Sequence, residues 1–280
     1  MRQRVAIVTD STACLPQEFA ARLGVTVVPL KVQIGERSLD EDRVTPGAVA
    51  AALREKARVA TSQPPPSAFF GAYRQAVAAG AGAIVSIHLS GELSGTCDSA
   101  RLAAEQVEVP VRVIDSRLVG MGLGYAVMTA AEAARAGAGL DDVVAAAERR
   151  CRVTTGYFYV DTLEYLRCGG RIGAAQAFLG SALAIKPLLH LVDGRIQPLE
   201  KVRTATRAIC RLEEIVVEQA GDRPVDLAVH HLAAPERAAA LAARLRARIP
   251  AVGEAYVAEV GAVIGAHVGP GLLAVVLAPR

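Results

Sequence analysis

The chain has 280 residues, of which 52% are hydrophobic and 21% charged, and a formal net charge of +3. A mainly disordered state is excluded, because that needs low hydrophobicity and high net charge. The length suits one large domain or two ordinary ones, at roughly 100–200 residues each. Basic and acidic residues nearly balance in both halves, Trp is absent and aromatics make up 4%. With neither a phosphate-binding face nor stacking platforms, no nucleic-acid partner is expected. Cys14, Cys97, Cys151, Cys168 and Cys210 form no C-x-x-C pair, so reduced thiols and a cytoplasmic location are expected. The apolar run Val5–Val8 is too short for a secretory leader. Arg, Asp, His or Lys interrupts every longer candidate before the roughly 18 apolar residues of a membrane helix, so no stable membrane insertion is expected.

In chain order, Val5–Val8 reads as a buried strand, residues 16–23 as a helix opened by Pro16, and residues 25–32 as the next strand. Thr45-Pro46 is a cap followed by proline at the first helical position, with an alanine-rich helix over 48–58. A strand at 83–87, a helix at 95–106, a strand at 111–114 and a helix at 125–135 continue the alternation. Such alternation implies a mostly parallel sheet covered on both faces. The second half opens with a strand at 154–160. Strands at 187–192 and 196–202 flank Asp193-Gly194, a type I′ hairpin signal that brings in antiparallel pairing. Thr204 caps a helix with Ile209, Leu212, Ile215 and Val216 on one face. A strand at 225–229, a helix at 237–247 and strands near Val257 and at 273–277 complete the pattern. The reading is two α/β domains, residues 1–150 with a mostly parallel sheet and 151–280 with a mixed sheet.

Five segments exceed what a plain scaffold needs. Thr9-Asp10-Ser11-Thr12 follows strand one, where open α/β sheets bind ligands, although Asp10 and Ser11 equally suit a turn and cap. In Thr61-Ser62-Gln63-Pro64-Pro65-Pro66-Ser67 the prolines hold a rigid loop that presents Thr61, and Ser67 caps the helix carrying Phe69 and Phe70. Ser90-Gly91-Glu92-Leu93-Ser94-Gly95-Thr96 opens a helix whose unpaired N–H groups suit a carboxylate or phosphate. It is neither a Walker loop nor a nucleophile elbow. Cys168-Gly169-Gly170-Arg171 is a sharp turn displaying Arg171, and Gly265–Gly271 brackets His267 with glycines. Gly120-Met121-Gly122-Leu123-Gly124 lacks dinucleotide spacing and reads as helix packing. His88, His190, His230 and His231 form no metal-ligand set, so no metal is expected.

Taken in order, these segments resemble the DegV family of bacterial fatty-acid-binding proteins. The matching runs are Val8–Thr12, Thr61–Pro64, Leu93–Thr96, Val113–Ser116, Asp161–Leu166 into Gly169–Ile172, Lys186-Pro187, Arg203-Thr204 and His267–Gly271. His88-Leu89, Cys97 and Cys168 depart from the family's common residues. The resemblance implies two α/β domains with one long-chain fatty acid, such as palmitate or oleate, between them and no other cofactor. It implies that Thr61 and Ser94 bind the carboxylate through their hydroxyls, with Ser62, Gly95, Thr96 and His267 at the same head-group site. Arg171 and Arg203 match positions around the head group or facing a partner. That partner would be a dihydroxyacetone-kinase-like fatty acid kinase that makes the acyl phosphate, leaving this chain as a non-catalytic carrier. The alternative is a serine hydrolase or acyltransferase using Ser94 as nucleophile and His267 as base, for which no orienting acid is identified.

Overall fold

In the computed structural model, residues 4–179 and 185–280 are described. Strand β1 (Val5–Asp10) runs into a 3-10 turn, followed by helix α1 (Gln17–Leu23) and strand β2 (Val25–Val28). Next come β3 (Lys31–Ile34), β4 (Arg37–Asp40), α2 (Pro46–Arg54), β5 (Val59–Ser62) and α3 (Pro66–Ala78). The chain continues through β6 (Ala83–His88), α4 (Thr96–Ala104), β7 (Val111–Asp115), α5 (Met121–Arg135) and α6 (Leu140–Val153). Then follow β8 (Thr155–Tyr159), α7 (Glu164–Cys168), β9 (Lys186–Val192), β10 (Arg195–Val202) and α8 (Ala205–Ala220). Strand β11 (Val225–His231), α9 (Pro235–Arg248), β12 (Val252–Glu259), α10 (Ala262–Val268) and β13 (Leu273–Pro279) close it.

These elements form two compact units. One holds residues through Lys31, Asp40–Asp42 and Ser62–Val153; the other holds Val32–Leu39, Arg43–Thr61 and Thr154–Arg280. The chain thus crosses at 153/154, and two segments from its N-terminal third pack with the second unit.

The first unit is built on a four-stranded sheet in the order β2-β1-β6-β7, parallel throughout. Every residue of β6 is buried, as a strand covered on both faces requires. Val8 and Ile84 meet Phe69 and Tyr73 of α3 and Ala100 and Ala103 of α4 on one side. Helix α5 is buried almost all round. A Cβ at Gly124 would fall 2.7 Å from the Ala13 carbonyl oxygen, so this glycine lets α5 approach the turn after β1 closely.

The second unit holds a six-stranded mixed sheet, β10-β9-β8-β13-β11-β12, in which only β11 and β12 pair in parallel. Asp193 (φ 50°) and Gly194 (φ 80°) make the expected β9–β10 turn with both central residues left-handed. Leu212 and Val216 of α8 and Leu241 and Leu245 of α9 cover Leu227, Val229, Leu273 and Val275. Thr204 accepts the Arg207 N–H at 3.3 Å, as its cap position predicts. A smaller sheet, β4-β3-β5, carries Thr61.

Several local expectations are corrected. The continuous strand over 25–32 breaks at Pro29, whose missing N–H and fixed φ end β2 and let β3 join another sheet. The helix expected over 48–58 ends at Arg54, where Lys56 turns left-handed (φ 59°). Thr61 lies on a strand rather than in a loop, and Pro65, not Ser67, precedes the first residue of α3. The amphipathic helix α6 adds an element to the alternation, and Arg150 on it stacks on the Tyr125 ring at 5.4 Å.

Candidate functional site

Thr61 stands near the end of β5 and His267 on α10, and their side chains meet: Oγ1 and Nε2 are 2.8 Å apart. The other ring nitrogen, Nδ1, is buried without a partner among the described residues. It packs on Gly169, where a Cβ would fall 2.1 Å away. Orphaned buried N–H groups are rarer than unused acceptors, so the hydrogen-bond network assigns the ring proton to Nε2. His267 therefore donates to Thr61 Oγ1. Burial, helped by the Arg171 charge, pushes the ring's pKa down to about 4, so it stays neutral near pH 7. The Thr61 hydroxyl keeps its own proton for another acceptor.

Glycines make this pairing possible. Gly169 has φ −77°, so its small size, not its backbone freedom, is what the His267 ring uses. The sharp turn belongs to Gly170 (φ 70°). Arg171, expected to be displayed, is half-buried and folds back to donate to the Gly169 carbonyl at 2.7 Å. Beyond His267, Gly269 (φ 72°) lies against the Tyr165 ring and Gly271 (φ 90°) against the Asp161 carboxylate. The segment 161–171 is thus fastened to 267–271 at three points.

In the other unit, Ser94 Oγ lies 2.9 Å from Thr96 Oγ1 at the start of α4, where the Asp98 and Ser99 N–H groups both donate to the Gly95 carbonyl at 3.1 Å. Gly95 lies against the Gln63 side-chain amide, where a Cβ would fall 2.3 Å from Oε1, and Gln63 donates to Ser99 Oγ at 3.1 Å. Asp115 accepts the N–H groups of Gly91 (3.1 Å) and Arg117 (2.8 Å). The backbone of the Ser94 turn is therefore held, while its hydroxyls are half of a local pair.

Of the other expected residues, Ser62 is exposed at the end of β5, and Arg203 is exposed between β10 and α8. A cavity of about 750 Å³ in the second unit is lined by Leu53, Val59, Ala60, Thr162, Tyr165 and Ala266, among others. Neither Thr61 nor His267 lines it. Among the described residues no cluster of His, Cys, Asp and Glu could hold a metal ion. Two contributors escaped sequence reasoning: Gly169 as the ring's seat, hidden by its turn-forming neighbour, and Gln63 over Gly95, which leaves no local sequence signal.

The fold is that of a two-unit α/β protein, with neutral hydroxyls at Thr61 in one unit and at Ser94 and Thr96 in the other. The model of the uncharacterised DegV family matches residues 4–280. A DegV domain-containing protein of Streptomyces coelicolor is 57% identical over all of both chains. A structure of a DegV family protein from Thermus thermophilus, described for its fatty-acid binding, superposes with a TM-score of 0.94 at 38% identity, covering 99% of this chain and 100% of its own. DegV of Bacillus subtilis, described as a fatty acid binding protein, gives 0.90 at 34% identity with the same coverage. This chain belongs to the DegV family.

Proposed function

We propose that this protein is a cytoplasmic carrier that binds one long-chain fatty acid, with the carboxylate received by the Thr61 and Ser94 hydroxyls. The observation that carries the reading is the Thr61–His267 pair. A neutral ring that donates to Oγ1 leaves the hydroxyl its own proton to donate, and a carboxylate only accepts hydrogen bonds. The fatty-acid-binding relatives from Thermus thermophilus and Bacillus subtilis support the same class of ligand. An apolar tunnel takes the tail in this reading. At about 0.8 kcal/mol per buried CH₂, fourteen methylenes give a ceiling of ~11 kcal/mol, so the tail dominates affinity and the hydroxyls set orientation.

The bound acid is presented to a separate fatty acid kinase for acyl-phosphate formation, with Arg171 and Arg203 facing that partner. Native mass spectrometry of the purified protein tests the first step, followed by denaturation and identification of released lipid. One fatty acid per chain is expected; a bare chain that also refuses palmitate and oleate refutes it. Arg171→Ala and Arg203→Ala are expected to keep the lipid and lose phosphorylation by the kinase. Loss of lipid would place the arginines in the binding site instead.

A further inference from the structure

A buried polar chain runs beneath the Ser94 turn. Asp10, Ser86 and His88 are fully buried at the ends of β1 and β6, beside Tyr73 of α3. Asp10 Oδ2 lies 3.0 Å from His88 Nδ1, His88 Nε2 lies 2.7 Å from Ser86 Oγ, and the Tyr73 hydroxyl donates to Ser86 at 2.8 Å. The order Ser–His–Asp is that of a hydrolytic triad, but with every member sealed from solvent there is no room for a substrate. What the chain does hold is backbone. Asp10 Oδ2 also accepts the Leu89 N–H at 3.0 Å, while Oδ1 accepts the Thr12 N–H at 3.0 Å and its hydroxyl at 2.5 Å. The carboxylate's four acceptor positions are filled.

From this anchor every N–H up to Ser94 is accounted for. The Ser90 N–H donates to the Leu118 carbonyl (2.9 Å), Gly91 to Asp115 (3.1 Å) and Glu92 to Ser90 Oγ (3.2 Å). The Leu93 and Ser94 N–H groups both donate to the Ser90 carbonyl, at 3.0 and 3.2 Å. The His88 carbonyl accepts from the Ser116 N–H (3.0 Å) and hydroxyl (2.7 Å). The Phe69 ring meets the His88 ring edge-on at 4.9 Å and fixes its plane.

We infer that His88 and Asp10 are positioning residues for the Ser94 hydroxyl: their buried pair fixes Leu89, and the hydrogen-bond sequence from Leu89 to Ser94 transmits that position to the head-group site. This inference rests on Ser94 meeting the carboxylate. The test compares binding of palmitate with binding of hexadecanol, which keeps the tail and loses the charge, in wild type and in Asp10→Asn. An amide at position 10 cannot accept from both His88 and Leu89 on one atom while accepting from Thr12 on the other. Affinity for the acid is expected to fall about tenfold, and affinity for the alcohol to change less than twofold. Equal losses for both ligands, or no loss for the acid, overturn the inference. Should Asp10→Asn fail to fold, Thr12→Val removes one of the four contacts, with about a threefold loss confined to the acid expected and the same two outcomes refuting it. If the wild type does not prefer the acid over the alcohol, the carboxylate reading itself has failed.

Discussion

Replacing Thr61 by valine keeps the volume of the side chain and deletes one hydroxyl. Two hydrogen bonds are at stake, and they report in different experiments. The Nε2–H of His267 loses its acceptor at 2.8 Å in the free and the loaded protein alike. A buried polar group left unpaired costs about 1–3 kcal/mol, so this loss appears in unfolding and cancels from affinity. The second bond, from Oγ1 to the carboxylate, exists only with ligand bound. Hydrogen bonds to charged groups contribute about 1.5–3 kcal/mol, which at ~1.4 kcal/mol per decade weakens binding roughly 10- to 150-fold. Isothermal titration or competition against a fluorescent fatty acid measures the affinity, and denaturant unfolding of the ligand-free protein measures the stability. Thr61→Ser keeps the hydroxyl and should restore both. A Thr61→Val protein that is destabilised yet binds palmitate unchanged would refute the reasoning, leaving Thr61 as a support for His267 alone.

Gly169→Ala places a methyl 2.1 Å from His267 Nδ1, so the ring must leave Thr61. The ligand-free protein should lose stability in denaturant unfolding about as far as Thr61→Val does, while fatty-acid affinity, checked by the same titration, should fall less, because the Thr61 hydroxyl remains. Gly269→Ala combines a left-handed φ of 72° with a Cβ 2.0 Å from the Tyr165 ring, and a loss of roughly 3 kcal/mol or more in chemical unfolding is expected. His230 and His267 are both pushed down to about 4, in each case chiefly by burial. Below the ordinary value of 6.5 the unfolded chain takes up protons that the folded chain refuses, so stability is intact above pH 6.5 and is lost as the pH falls toward 4. The ceiling is about 3 kcal/mol per histidine, from 1.36 kcal/mol per pKa unit. A melting temperature that stays level across that window would contradict it.

Patterns confined to a few neighbouring residues were legible without coordinates. Strand–helix alternation, the Thr45 and Thr204 caps and the Asp193-Gly194 turn depend on local backbone preferences and periodicity, which the chain carries wherever it folds. The hydroxyls of Thr61 and Ser94 stood out for a similar reason: small polar residues beside Gly and Pro are conspicuous against an apolar background. Pro29 could have been read as a break, but where β3 goes next depends on partners absent from its own neighbourhood.

Pairings across long sequence separations needed the tertiary structure. Thr61 meets His267 across 206 residues, and Asp10 meets His88 across 78. No local propensity encodes such meetings, because they follow from sheet order and from which side chains packing leaves facing each other. Gly169 shows the distinction most directly. The sequence by itself determined that a paired glycine turns the chain there, through Gly170 and its left-handed φ of 70°. Only the tertiary structure decided that Gly169 must lack a side chain, because a histidine ring from nearly a hundred residues away occupies the space where a Cβ would be.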